Sequence, residues 1–290
     1  MKGQAEAISH GAATIINAIA TGYGAAVGVD LWTRARVKLT SESRIIDGKI
    51  MSDSTEDPVL IEKTVSRVLR YFDREEEFGA RVEVWSNIPI ARGLKSSSAA
   101  GNAIALASVA ALDESLDDLA IVNLGVDGAI DANVTITGAF DDACACYFGG
   151  VVITDNSRRK IIKRFEMNED LTVLFYVPPE KAYKANSNVH RMKAVTSVVE
   201  TAYFETLKGN CWRGLTLNGL ICSSALGYNP AIAIDALEEG AFAAGLSGTG
   251  PAVAAIVTQE KKDGVKRAWG NYDGEILEAR FNNKKARIMG

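Results

Sequence analysis

The chain has 290 residues, 47% of them hydrophobic and 23% charged, with a net charge of −4. That length suffices to bury the core of one large domain or two moderate ones, and the weak negative charge gives a nucleic-acid role little electrostatic footing. Two histidines, and four cysteines without a Cys-x-x-Cys pair, argue against a Cys/His metal centre and against a Ser-His-Asp hydrolase. The longest apolar run, Ala103 to Leu112, is too short to cross a bilayer, and no signal-peptide pattern opens the chain, so a cytoplasmic protein with no membrane partner is expected.

Residues 1–30 are rich in Gly and Ala. The spacing of Gly22, Gly24 and Gly28 invites a dinucleotide fold, but Val27 to Trp32 and Ala35 to Thr40 alternate as strands, which predicts a β-hairpin. Residues 41–57 are polar and read as a surface loop or hairpin. Pro58 to Arg70 carries apolar residues at helical spacing, with Pro58 suited to the first turn. Arg81 to Trp85 alternates as a half-buried strand and leads into the most informative stretch, Pro89-Ile90-Ala91-Arg92-Gly93-Leu94-Lys95-Ser96-Ser97-Ser98-Ala99. An Ala-rich helix runs from there to Leu112. Gly93 permits a tight turn, the serines can cap the helix, and its first N–H groups with the helix dipole make an anion site beside the Lys95 charge. The features predict a phosphate cradle; they also suit an ordinary serine-capped helix. The stretch is not a Walker A loop, since Gly93 alone stands for that motif's two glycines ahead of the lysine.

Ser115 is placed as the N-cap of a helix running through Asp131, with Asp117 and Asp118 in its first turn and Asp127 and Asp131 together on one side. In Thr135-Ile136-Thr137-Gly138-Ala139-Phe140-Asp141-Asp142-Ala143, two adjacent carboxylates follow a glycine turn and open a small-residue helix that ends at Gly149-Gly150. Helix capping by either aspartate is the alternative to a catalytic role. A strand at Val151 to Thr154 and a turn at Ser157 to Lys160 precede a boundary near 165, which divides the chain into 1–165 and 166–290. Leu171 to Val177 reads as a buried strand stopped by Pro178-Pro179. Lys181, Lys184, His190, Arg191 and Lys193 read as a solvated loop and helix face, with a substrate-anion site as the alternative. Helices are predicted over roughly 188–207, 211–226 and 230–240. A glycine turn containing Ser247, Gly248, Thr249 and Gly250 then enters a buried strand, and a helix near 260–269 and a strand near 275–281 close the chain.

Three of these stretches, in this order, resemble the motifs of the GHMP kinases, the superfamily of galactokinase, homoserine kinase and mevalonate kinase. They are the 89–99 stretch, the Asp141-Asp142 stretch and the 247–250 turn. Gly93-Leu94-Lys95-Ser96-Ser97-Ser98-Ala99 and Thr137-Gly138-Ala139-Phe140-Asp141-Asp142-Ala143 most resemble the archaeal-type shikimate kinases; in most GHMP kinases a small residue stands where this chain has Lys95. The resemblance implies an α+β, two-domain GHMP kinase fold, with a left-handed β-α-β unit in the N-terminal domain and a ferredoxin-like C-terminal domain. It implies ATP and Mg²⁺, with residues 89–99 and Lys95 holding the triphosphate and Ser97 or Ser98 on the metal. Asp131 or Asp127 would stand where these families often place a metal-binding Glu. The motif's Asp-x-Ala shape selects Asp141 as the base that takes the acceptor's proton, whereas counting back from Gly149-Gly150 selects Asp142. The 247–250 turn would support nucleotide or substrate. The implied acceptor is shikimate at its 3-hydroxyl, with homoserine or mevalonate-type kinases and a non-catalytic GHMP-fold binding protein as alternatives. Sequence sets neither the substrate-pocket residues nor the oligomeric state.

Overall fold

The computed structural model describes residues 3–135, 137–182 and 189–290, so Lys184 lies outside the described residues. The chain begins with β1 (Gln4–Ile16) and β2 (Tyr23–Thr40), paired antiparallel from Gln4 opposite Lys38 to Ile16 opposite Ala25. The hairpin predicted inside residues 23–40 is instead one continuous strand. Only Thr33 and Arg34 separate its two expected arms, and neither is a turn former. The reversal falls earlier, between β1 and β2, where Gly22 takes a φ of 83°.

β3 (Ile46–Ile50), inside the polar stretch read as surface, runs parallel to β4 (Gly79–Ser86), and α1 (Val59–Tyr71) connects them. β4 also pairs with β2, so β2 sits between β1 and β4. Next come α2 (Ser96–Ala111), α3 (Asp118–Asp131) and α4 (Phe140–Phe148), packed on one another and, through α2 and α4, on β1 and β2. The N-cap of α3 is Asp117, not Ser115: its carboxylate accepts the Ala120 N–H at 3.0 Å. β5 (Val151–Asp155) pairs with the first part of β2, and β6 (Lys160–Phe165) extends it.

The second half has the β-α-β-β-α-β order of a ferredoxin-like unit. β7 (Thr172–Val177) is followed by α5 (Val189–Ala194), α6 (Thr196–Leu207), α7 (Cys211–Leu226) and α8 (Ala231–Glu238). Then come β8 (Ala243–Leu246), β9 (Val253–Val257), α9 (Lys262–Trp269) and β10 (Glu275–Arg280). Among the described residues its sheet runs β10-β7-β9-β8, all antiparallel. The last strand, β11 (Arg287–Met289), returns to pair with β1, so a division at 165 separates a strand from its own sheet.

One apolar core spans both halves, from Ile15 and Val27 through Ile104 to Phe175, Leu215 and Cys222, because α7 packs on β1 as well as on β8. All four cysteines are buried free thiols, as expected. Among the described residues no helix is long and apolar enough to cross a membrane. The junction of the two halves brings the end of β1, the loop before α2, the start of α4 and the β8–β9 turn around a cavity of about 480 Å³.

Candidate active site

The loop from β4 to α2 is held in an unusual backbone shape. Ala91, Gly93 and Lys95 have φ of 56°, 86° and 68°, all left-handed, which is routine for Gly and costly for the other two. Neighbours hold it there. Ala182 N–H donates to Ala91 O at 2.8 Å, Ala252 N–H to Arg92 O at 3.0 Å, and the Ser247 hydroxyl to Gly93 O at 2.9 Å. At Gly93 the requirement is absolute in two ways: besides the positive φ, a Cβ would lie 2.3 Å from Ser247 O. Gly93→Ala is therefore expected to cost about 2 kcal/mol or more of stability. A lowered thermal midpoint checks this.

Lys95 itself occupies the N-cap of α2, and the helix's first bond runs from Ala99 N–H to Lys95 O at 3.0 Å. The serines thus form the first turn and do not cap it, which corrects the sequence expectation; a lysine in a left-handed conformation has no local signal. The consequence favours anion binding. The N–H groups of Ser96, Ser97 and Ser98 have no carbonyl behind them in the helix, and all three residues line the cavity. Of the 89–99 stretch, Ile90, Ala91, Gly93 and Lys95 also line it. Leu94 and Ala99 are core residues, and the Arg92 guanidinium turns away to donate to Pro178 O.

The Lys95 side chain is buried and ends 3.2 Å from Asp142 Oδ2. Its ammonium lies where the side chain of residue 248 would be: a Cβ on Gly248, whose φ is 65°, would fall 2.4 Å from Nζ. The 247–250 turn is fixed from β1. Thr14 Oγ1 accepts the Gly248 N–H at 2.8 Å, and Asn17 Nδ2 donates to Gly248 O at 2.8 Å. Thr14 and Asn17 line the cavity, and no pattern in the sequence singles them out.

Asp141 and Asp142 stand in the first turn of α4 and neither caps it; the N-cap is Ala139, itself left-handed at φ 47°. Capping therefore does not explain them. The two carboxylates diverge. Asp141 Oδ1 accepts from Asn156 Nδ2 at 2.8 Å, and Asn156 Oδ1 in turn accepts from the Thr154 hydroxyl at 2.6 Å. Asp142 Oδ2 faces Lys95, while Oδ1 is buried with no hydrogen-bond partner. Burial raises the pKa of Asp141 to about 7, helped by the neighbouring charge of Asp142 and opposed by the Asn156 hydrogen bond. Burial also raises Asp142, and the Lys95 charge pulls it back. A buried carboxylate oxygen without a hydrogen-bond partner is rare in a folded protein, and Asp142 is among the residues that line the cavity.

The carboxylates of α3 are used elsewhere. Arg67 on α1 grips Asp131 with both prongs, Nη2 to Oδ1 at 2.7 Å, and holds its carboxyl below the usual range. Asp127 takes Arg159 at 2.7 Å. Neither lines the cavity, so Asp131 is corrected from metal-ligand candidate to a structural ion pair. His190, Arg191 and Lys193 lie on an exposed face of α5, away from the cavity. Among the described residues no group of three or more His, Cys, Asp or Glu could enclose a metal ion.

The chain matches the family model for the N-terminal domain of the GHMP kinases over residues 60–150 and the model for their C-terminal domain over residues 221–275. A shikimate kinase of Methanosarcina mazei is 45% identical to it over 285 residues, covering 98% of this chain and 96% of that one. Among solved structures, the mevalonate kinase of Methanococcus jannaschii superposes with a TM-score of 0.76 at 18% identity, over 96% of this chain and 98% of its own. Another, described as MDDEF in complex with MVAPP, AMPPCP and magnesium, superposes with a TM-score of 0.76 at 17% identity, over 99% and 98% of the two chains.

Proposed function

The chain belongs to the GHMP kinases, and we infer that it is an ATP-dependent small-molecule kinase whose acceptor is shikimate, phosphorylated at the 3-hydroxyl. The chemistry rests on one juxtaposition: free helix N–H groups at Ser96 to Ser98, the Lys95 ammonium, and the Asp142 carboxylate paired with it, all contributed by residues that line one cavity. The choice of acceptor rests on the near full-length likeness to shikimate kinases.

Phosphoryl transfer asks a protein for position and charge compensation more than for covalent chemistry. In this reading the 96–98 N–H groups and the α2 dipole hold the phosphates, and Lys95 sits between them and Asp142. The acceptor O–H donates to the Asp142 carboxylate. As the acceptor oxygen bonds to the γ-phosphorus and the bond to ADP breaks, the proton passes to Asp142 and Lys95 stabilises the charge on the transferring group. The divergence of the two aspartates favours Asp142 as the base, with Asp141, tied to Asn156, bracing the turn. Mg²⁺, when bound, neutralises phosphate oxygens. An oxygen donor set of the Ser97 and Ser98 hydroxyls fits a metal that keeps few protein ligands and takes the rest from phosphate and water. An enzyme of this class, feeding aromatic amino-acid biosynthesis, works in the cytoplasm.

Coupled ADP release measured with shikimate, homoserine and mevalonate side by side tests the acceptor. Shikimate is expected to stimulate turnover at least about 10²-fold more than either other alcohol, since a site built to hydrogen-bond its substrate rejects analogues lacking those groups by ratios of that order or larger. Equal rates with homoserine or mevalonate overturn the assignment to shikimate and leave the kinase chemistry standing.

A further inference from the structure

The cavity lining is of two kinds: Thr14, Asn17, Asp141 and Asp142 are polar, and Ile50, Leu60, Ile61, Val84, Ile90 and Val134 form an apolar part, with Ile50 and Val84 paired across β3 and β4. If phosphates rest on residues 96–98 and the acceptor faces Asp142, the purine of the nucleotide belongs at the apolar part, where flat rings bury best. The inference below rests on that reading of the site.

Acidic residues precede α1 beside this apolar part: Glu56 and Asp57 line the cavity, and Asp53 lies three residues before Glu56. This acidic stretch is stiff: Asp53 Oδ1 accepts from the backbone and hydroxyl of Thr55 at 3.1 and 2.6 Å, and Asp57 Oδ1 accepts Val59 N–H at 2.9 Å at the entry to α1. Carboxylates beside a polyanionic nucleotide are unfavourable unless compensated. For Glu56 and Asp53 the compensation comes from the other half of the chain. Lys181 Nζ lies 2.6 Å from Glu56 Oε1 and 3.2 Å from Asp53 Oδ2, and the Glu56 side chain is only 9% exposed.

Lys181 belongs to a short strap, residues 178–182, that leaves β7 and crosses to the phosphate loop. Pro178 O accepts from the Arg92 guanidinium, and Ala182 N–H donates to Ala91 O at 2.8 Å. Ala182 and Ala91 both line the cavity. The strap is therefore fastened at one side to the loop that would hold the phosphates and at the other to the acidic stretch. We propose that Lys181 is a positioning residue for the nucleotide: by bridging Glu56 and Asp53 it closes the apolar part of the cavity with the 178–182 strap, and so sets ATP affinity without entering the reaction.

A solvent-exposed ion pair contributes little, but this one spans the two halves and covers a nearly buried carboxylate. Lys181→Ala is expected to raise KM for ATP roughly 5- to 10-fold, with kcat and KM for shikimate within about twofold of the unaltered enzyme, the signature of lost ground-state binding. The charge-exchanged double variant Lys181→Glu, Glu56→Lys is expected to recover most of the ATP affinity, which a general loss of folding would not permit. Glu56→Gln, which keeps the side chain's shape, serves should the lysine variant not fold, and is expected to raise KM for ATP by a smaller factor. An unchanged KM for ATP in these variants, or a fall in kcat at constant KM, overturns the proposal. Failure of the unaltered enzyme to bind ATP, measured by calorimetry without acceptor, instead overturns the underlying reading of the site.

Discussion

Lys95→Ala is expected to lower kcat by about 10²- to 10³-fold, the usual cost of removing one preorganised electrostatic stabiliser. The residue does two jobs at once. Its ammonium is the cation that the cavity sets beside the α2 N-terminus, and it is also the counter-charge that opposes the upward pull of burial on the Asp142 pKa. Removing it lets the Asp142 pKa climb, because only the desolvation remains. The acidic limb of the pH–rate profile should therefore move to higher pH, and the variant should regain part of its activity as pH rises. A loss from phosphate binding alone would depress the profile without shifting it. Lys95→Gly separates chemistry from backbone. Glycine adopts the left-handed conformation that lysine holds at φ 68° without its steric penalty, so this variant should melt no lower than Lys95→Ala while turning over equally slowly. Turnover near the unaltered rate in either variant would remove Lys95 from the mechanism.

What the sequence showed of this protein was what depends on near neighbours. α1, β4, α2 and β7 carry clear periodicity or an apolar run, and each stands within a few residues of its predicted place. β2 did not show itself whole, because its first half, Gly24-Ala25-Ala26-Val27, is buried on both faces and does not alternate. β6 and β11 are charged strands at the margins of the sheet and exist only through partners: β5 for the first, and β1, some 280 residues away, for the second. The candidate site divides the same way. Gly93, the serines, Lys95 and the aspartate pair were visible as residue types suited to phosphate chemistry. Their roles were not, since these are set across the chain. Lys95 caps α2 in a left-handed conformation because Asp142 and the vacancy at Gly248 receive its side chain. Asp131 pairs with Arg67, 64 residues earlier, and is thereby withdrawn from any metal.

Asp142→Asn is expected to reduce kcat by about 10²- to 10⁴-fold, the range for loss of a general base. The amide keeps the shape, but its oxygen cannot take up the acceptor's proton, and Lys95 loses its counter-charge. Asp141→Asn should behave differently, although the motif's shape selects Asp141. An asparagine oxygen still accepts the Asn156 N–H, so the turn keeps its brace and kcat should stay within about tenfold, well short of the loss of a general base. Its mark should appear in stability. A carboxyl whose folded pKa is raised from 3.8 to about 7 favours folding in its protonated form, and that contribution disappears as pH climbs through the raised value. The unaltered protein should therefore lose stability between roughly pH 4 and pH 7, while Asp141→Asn, which has no charge to bury, should lose less and melt higher than the unaltered protein at pH 8. Single-turnover kinetics with shikimate and melting curves at pH 5 and pH 8 read both effects from the same two samples. Turnover lost in Asp141→Asn and kept in Asp142→Asn would move the base back one residue. Turnover kept in both would mean that the hydroxyl is positioned without a carboxylate base, leaving Lys95 and the helix N-terminus to supply the catalysis.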